Sequence, residues 1–401
     1  MAFEGYDRNL MYSVLINNTE IDSKCISELT DKGLIGSYKE LFEYICGGLK
    51  EEGLTGRTFV RLNEAKSMPD KIKEIYRRYE EIISKCGITI IPDDSGSYPG
   101  IWKDLPGMPK VIYGRGDISS LKKVDDNGSV SVVGSRNPGR YSLYATGDFV
   151  SKIASKDVVI VSGLAIGIDR AAHEAAMRAL GTTIAVLPSG CDEVYPLQNR
   201  DLFERITGGG GMVLSEMPPL SGVRKQYFPS RNRLISALSD CCLIMEAGEF
   251  SGTLHTASFA AYQGRDVFVL PNNIYADNCI GGLRLINDGA SILLSVDDVI
   301  DSVTSRLLYR KADKMVLNDK EEKRKLIENI RAKVSKDCSG VSDEEIAMLV
   351  KDELEVRDLT ADELSKRLGI PFFLLSQVLS DMELCGSICR EKGKFALTIS
   401  L

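Results

Sequence analysis

One unit recurs through the middle of this 401-residue chain: a short, apolar, β-branched run, a turn rich in glycine and serine, and a segment with helical spacing. The runs fall at residues 130–134, 158–163, 183–187, 212–215, 241–246, 267–270 and 291–294. Runs that are apolar throughout suit parallel strands covered on both faces, and the segments between them supply the crossovers that parallel pairing requires. The repetition predicts an α/β fold with a doubly wound, mostly parallel sheet.

The flanks differ from this middle. Residues 1–87 show helical spacing at Ile26, Leu29, Leu34, Leu41, Tyr44 and Ile45, broken by Gly47, Gly48, Gly53 and Gly56, which predicts a small helical domain. Strand and turn follow around Ile88 to Ile91, Tyr98-Pro99, Pro106 and Pro109. Residues 306–345 carry both signs of charge and read as a solvated helix or linker. Residues 346–401 give a helix, a turn near Gly369-Ile370-Pro371, a second helix and a short hairpin around Lys392-Gly393, the order of a winged helix-turn-helix.

Composition narrows the setting. No apolar stretch approaches the roughly 18 residues a membrane helix needs, and the start lacks a basic segment followed by an apolar one, so a soluble, unexported protein is expected. The ten cysteines are dispersed, and Cys241 and Cys242 are adjacent within an apolar run, which fits a reducing cytoplasm better than a disulfide framework. A net charge of −7 gives no global field for nucleic acid, so any such role needs a local patch.

Three turns carry chemistry. Gly134-Ser135-Arg136 follows the first parallel run and precedes a helix, which offers backbone N–H groups and a positive helix end to an anion; Arg136 adds a bidentate grip. The spacing is neither GxGxxG nor a P-loop. Ser162-Gly163 and the stretch from Glu246 to Thr253 repeat the arrangement, and parallel strands bring all three turns to one edge. Asp169 is expected to cap the helix after the second turn. A fourth element, Lys225-Gln226-Tyr227-Phe228-Pro229-Ser230-Arg231-Asn232-Arg233, interleaves cations with rings just ahead of an apolar helix, the two components of single-strand binding.

Catalytic chemistry is not evident. His173 and His255 lack neighbours at metal-ligand spacing and are expected to pack within the fold. Cys385 and Cys389 have no second pair, and Ser189-Gly190 lacks the GxSxG frame. Glu216 and Glu246 end strands on the ligand edge, where they could pair as acid and base. No metal, cofactor or catalytic residue is assigned.

These residues together carry a family resemblance. Tyr98-Pro99, Gly134-Ser135-Arg136, Ser162 through Asp169 with Ala172-His173, Tyr195-Pro196 with Asn199, Phe228 through Arg233, Ser251-Gly252-Thr253 and Gly264-Arg265 follow in order, at family spacing. From about residue 88 to 300 the chain resembles the DNA-processing protein A family, DprA or Smf. The helical start is similar to a helix-hairpin-helix or SAM-like domain of some members, and the tail to the family's winged-helix domain, which divides the chain at 1–87, 88–305, 306–345 and 346–401.

The resemblance implies an extended Rossmann-like domain in a bacterial, cytoplasmic, homodimeric protein that is not an enzyme. Such a protein binds single-stranded DNA, protects incoming strands during natural transformation and loads the recombinase RecA. By position, Ser135, Arg136 and the Ser162-Gly163 turn hold phosphate, Lys225 meets the backbone, and Phe228 stacks on or packs beside a base. Arg231 and Asn232 line the pocket, and Ser251, Gly252 and Thr253 donate from the opposite side. In the family pattern GSRxxSxYG this chain has Gly139 for serine and Ser142 for glycine, and Asn272 follows Pro271 where glycine is usual. Asparagine shares glycine's tolerance of positive φ.

Two other readings compete. A binder or hydrolase of a nucleotide-derived small molecule would use the same turns, but a phosphoribohydrolase would show PGGxGTxxE, and no acidic residue stands at that offset after Thr253. A duplex-binding regulator would need cations on the second tail helix, and residues 371–384 contain no Lys or Arg.

Overall fold

The computed structural model describes residues 6–37, 40–47, 53–103, 105–336, 341–385, 387–391 and 393–398. Gly48 and Lys392 lie outside them. The helical start forms α1 (Arg8–Asn18), α2 (Ser23–Asp31), α3 (Leu41–Cys46), α4 (Gly56–Ser67) and α5 (Pro69–Cys86). Next come β1 (Ile88–Pro92), β2 (Val111–Gly116), α6 (Ser119–Asn127), β3 (Ser129–Gly134), α7 (Arg140–Ala154), β4 (Val159–Ser162), α8 (Ile168–Arg178) and β5 (Thr183–Val186). The middle closes with α9 (Arg200–Gly208), β6 (Met212–Ser215), α10 (Tyr227–Ala237), β7 (Cys241–Glu246), α11 (Thr253–Tyr262), β8 (Asp266–Val269), α12 (Ile280–Asn287) and β9 (Ser291–Ile292).

Among the described residues these strands form one 9-stranded sheet in the order β1-β2-β6-β5-β4-β3-β7-β8-β9. The strands from β3 onward pair in parallel, and β2 joins β6 and β1 antiparallel. The runs expected from the sequence are strands β3 to β9. Strand β2 was not anticipated, because Val111-Ile112-Tyr113 is a short apolar run between prolines and glycines, which reads as a turn.

Alternation within the strands builds the layers. Ile160 of β4 packs with α7 and α8, while its neighbours Val159 and Val161 pack with α10 and α11 on the opposite face. Cys241 and Cys242 divide in the same way, since successive strand residues point to opposite sides. The N-terminal helices share a hydrophobic cluster with β2, β5 and β6, and Asn17 Nδ2 donates to the Tyr113 hydroxyl at 3.0 Å.

The charged stretch expected from residue 306 as a helix or linker is helical as far as Lys336. Helix α13 (Val296–Lys336) begins earlier, burying Val299 and Val303 in the cluster that contains β3 and β7, and runs on as one helix. By internal contacts the chain divides into two units, Met1–Leu308 and Tyr309–Leu401.

The second unit holds α14 (Asp343–Val356), α15 (Ala361–Leu368), α16 (Phe372–Leu384), β10 (Ile388–Glu391) and β11 (Lys394–Leu397). Ser342 with Glu345, and Thr360 with Glu363, form capping boxes that satisfy the first N–H groups of α14 and α15. Gly369, at φ +69°, ends α15 in a left-handed turn that a side chain would strain. Leu349, Leu364, Leu375 and Phe395 bury the interior, and β10 pairs antiparallel with β11.

Candidate functional site

The strand order reverses between β3 and β7: crossovers from β3 step through β4, β5 and β6 to one side, and those from β7 step to the other. Ligand crevices form outside the carboxyl ends of strands at such a switch point. A cleft of about 600 Å³ lies there, lined by Gly134, Ser135 and Arg136 after β3, Phe228, Arg231 and Asn232 of α10, and the turn after β7. A second cleft, of about 930 Å³, shares Arg136, Ala165, Phe228 and Arg231, and adds Tyr195, Arg200, Asp192 and Glu193. The β3 and β7 turns, with Ala165 and Asp169 from beyond β4, therefore do meet.

Close backbone packing sets their positions. A Cβ on Gly134 would come within 2.6 Å of Ile168, so only glycine lets the start of α8 lie against the end of β3. The Ile168 N–H donates to the Ser135 carbonyl at 3.1 Å and ties the two turns together. Ser135 Oγ accepts the Asn137 N–H at 3.1 Å. Arg136 is exposed, its guanidinium 5.4 Å from the centre of the Phe228 ring, with no carboxylate in ion-pair range among the described residues.

The second turn is differently employed from the expectation. The Ser162 hydroxyl is fully buried and donates to the Val132 carbonyl at 2.6 Å, and the Gly163 N–H donates to Asp169 Oδ2 at 3.1 Å. Neither donor is free for phosphate. Asp169 does not cap α8 either: it binds back to Gly163 and to Ala165, 3.4 Å away, so it braces the loop. Burial raises its carboxyl above the usual range, opposed by Arg231, the two loop N–H groups and Arg136.

Arg231 is the centre of that brace. Its Nη1 donates to the carbonyls of Gly163 at 2.6 Å and Val186 at 2.5 Å, and Nε donates to Asn232 Oδ1 at 3.1 Å. Burial lowers its pKa to about 10, with Asp169 pulling it up and Arg136 pushing it down. The Phe228-to-Arg233 segment lies inside α10 and not in a loop ahead of it. Lys225, two residues before α10, is exposed and lines neither cleft.

The helix starts after β3, β4 and β7 are not equivalent toward an anion. Glu246 accepts from the Gly139 N–H at 2.9 Å, the Ser142 hydroxyl at 2.6 Å and Asn278 Nδ2 at 2.7 Å, so its carboxylate already occupies the start of α7. Asp169 sits in the first turn of α8. Helix α11 has no acidic residue in its first turn and begins at Ser251-Gly252-Thr253, with the Thr253 N–H donating to Ser251 Oγ at 3.2 Å. Its dipole is the uncompensated one of the three.

The acid–base pairing of Glu216 and Glu246 is not formed: Glu216 is ion-paired to Arg233, and Glu246 is saturated by its donors. His173 is fully buried, as expected, whereas His255 is exposed on α11. Tyr195 meets Phe228 edge-on at 5.8 Å, and Asn278 holds Glu246; neither role was legible from spacing. Phe250, 95% exposed on the rim, was also missed, since a turn residue's exposure has no signature in one sequence.

Comparison with known proteins agrees with this architecture. A family model for DNA recombination-mediator protein A matches residues 89–304. DNA processing protein DprA of Bacillus subtilis is 34% identical over 246 residues, covering 61% of this chain and 82% of its own. Protein Smf of Synechocystis is 40% identical over 214 residues, 53% of either chain, so the match spans about half of that relative's length. The X-ray structure of DprA from Streptococcus pneumoniae superposes with a TM-score of 0.56 at 28% identity, covering 74% of this chain and 98% of that one. With the family model matching more than half its length and the switch-point fold matching that of DprA, the chain belongs to the DNA recombination-mediator protein A family, that of the DNA-processing proteins DprA and Smf.

Proposed function

We propose that the chain binds single-stranded DNA in the switch-point cleft and acts as a recombination mediator, protecting the strand and loading the recombinase RecA. The observation that carries this reading is Arg136, an exposed guanidinium laid against an aromatic ring and sharing a cleft with the uncompensated start of α11. Cation, ring and helix start are what a phosphate with its neighbouring base requires.

In this reading Arg136, Ser135 and the Ser251-Gly252-Thr253 start hold phosphate. Phe228 fixes Arg136 and presents itself beside a base, Asn232 lines the wall, and Lys225 meets the backbone outside the cleft. Arg231, Ser162 and Gly163 shape the cleft without touching DNA. Strand protection, RecA loading, a homodimeric state and a bacterial cytoplasmic setting rest on membership of a family described as recombination mediators. The C-terminal unit is read as a winged helix whose α16, lacking Lys and Arg, faces protein and not duplex DNA.

The test is fluorescence anisotropy of a labelled single-stranded oligonucleotide at two salt concentrations, with duplex and mononucleotide competitors. Salt-sensitive binding that duplex competes for poorly is expected. Efficient competition by a mononucleotide would favour the second reading, a nucleotide-derived small ligand, for which the 930 Å³ cleft has the size of a small-molecule site.

A further inference from the structure

Two phenylalanines line the switch-point cleft, and they are in different situations. Phe228 is half-buried, with Arg136 at 5.4 Å and Arg231 at 5.9 Å from its ring centre and Tyr195 against its edge. Its ring is occupied in holding cations. Phe250 is 95% exposed and makes no ring or cation contact among the described residues.

A lone exposed aromatic needs no explanation. This one stands one residue before Ser251, at the start of the helix that lacks an acidic first turn, and shares the cleft with Arg136. The charge next to it in sequence is paired: Glu249 meets Arg284 at 2.5 Å. Cation and helix start can hold a phosphate, and the base beside that phosphate then meets an unoccupied ring.

We propose that Phe250 is a base-stacking platform: the nucleotide whose phosphate lies between Arg136 and the start of α11 stacks an adjacent base on the Phe250 ring. This rests on the single-strand reading above and adds to it a contact from the turn after β7. Stacking tolerates any base and releases no counterions, so it raises affinity without steepening the salt dependence.

The experiment uses the full chain with an oligothymidine and with an abasic oligomer of equal length. Phe250→Leu is expected to weaken oligothymidine binding about tenfold, or about 1.4 kcal/mol, with an unchanged salt slope, and Phe250→Tyr to retain wild-type affinity. Phe250→Trp places an indole on the rim, while the native Trp102, 1% exposed, stays a constant background. That indole's fluorescence should be quenched by oligothymidine and not by the abasic oligomer. Wild-type affinity in Phe250→Leu, or equal quenching by both oligomers, overturns the proposal while leaving the parent reading intact. Failure of the wild type to bind either oligomer removes both.

Discussion

Asn272 Nδ2 donates to the Ser142 hydroxyl at 3.2 Å, so two positions at which this chain departs from the family pattern meet in space. Asn272 is not at positive φ, and tolerance of that conformation is not why it stands there. The pair completes a chain in which the Ser142 hydroxyl donates to Glu246, which also accepts the Gly139 N–H just ahead of α7. Ser142 is buried and turned toward that carboxylate. The two departures compensate one another. Ser142→Gly should cost about 1–2 kcal/mol by leaving buried polar groups short of partners. Adding Asn272→Gly should cost less than the sum, with a coupling of about 0.5–1 kcal/mol in urea unfolding; strict additivity would sever the link.

Arg136 is predicted to contribute through one phosphate. Arg136→Ala should weaken single-strand binding about tenfold and flatten the plot of log affinity against log salt by about 0.7, the value per phosphate for single strands. Titrations at four salt concentrations measure both, and an unchanged slope removes Arg136 from the phosphate contacts.

His173 should make the fold sensitive to acid. Thr183 Oγ1 donates to the Ile160 carbonyl at 2.9 Å, so it accepts from His173 Nδ1 at 2.7 Å, and Nε2 is left buried without a partner. Burial, with Arg231 adding repulsion, lowers the histidine from 6.5 to about 3. The unfolded chain therefore binds a proton below pH 6.5 that the folded chain refuses until about pH 3, and stability falls as pH drops through that window. From pH 7 to 5 the wild type should lose about 2 kcal/mol more than His173→Asn, at about 1.4 kcal/mol per unit. Parallel losses in urea unfolding would show that the imidazole does not titrate in this way.

Arg233 lies in the same run as Phe228 and Arg231, yet its partner is Glu216, whose side chain is 11% exposed. Arg233→Met should destabilise by about 3–5 kcal/mol, because it strands a buried carboxylate. The salt slope of the remaining folded protein should not change. A slope lowered as in Arg136→Ala would make Arg233 a DNA contact.

Much of the fold was legible because strands buried on both faces leave continuous apolar runs. The convergence of the β3 and β7 turns followed from parallel pairing alone. What spacing could not reveal was which polar groups are already spent. Ser162 and Gly163 look like phosphate donors in sequence, yet one hydroxyl and one N–H are consumed by Val132 and Asp169. Glu246 looks like a general acid and is instead a cap for α7. Phe250 was illegible for the opposite reason, since exposure depends on everything that fails to cover a side chain.

The central claim is that a single strand lies in the cleft between the β3 and β7 turns. Photocross-linking of an iodouracil-substituted oligonucleotide to the full chain, followed by mass-spectrometric mapping of the adducts, tests it most directly. Adducts on the peptides bearing Tyr195, Phe228 or Phe250 are predicted, and their loss in Arg136→Ala at matched salt. Adducts confined to Tyr309–Leu401, or to the N-terminal helices, would contradict the account.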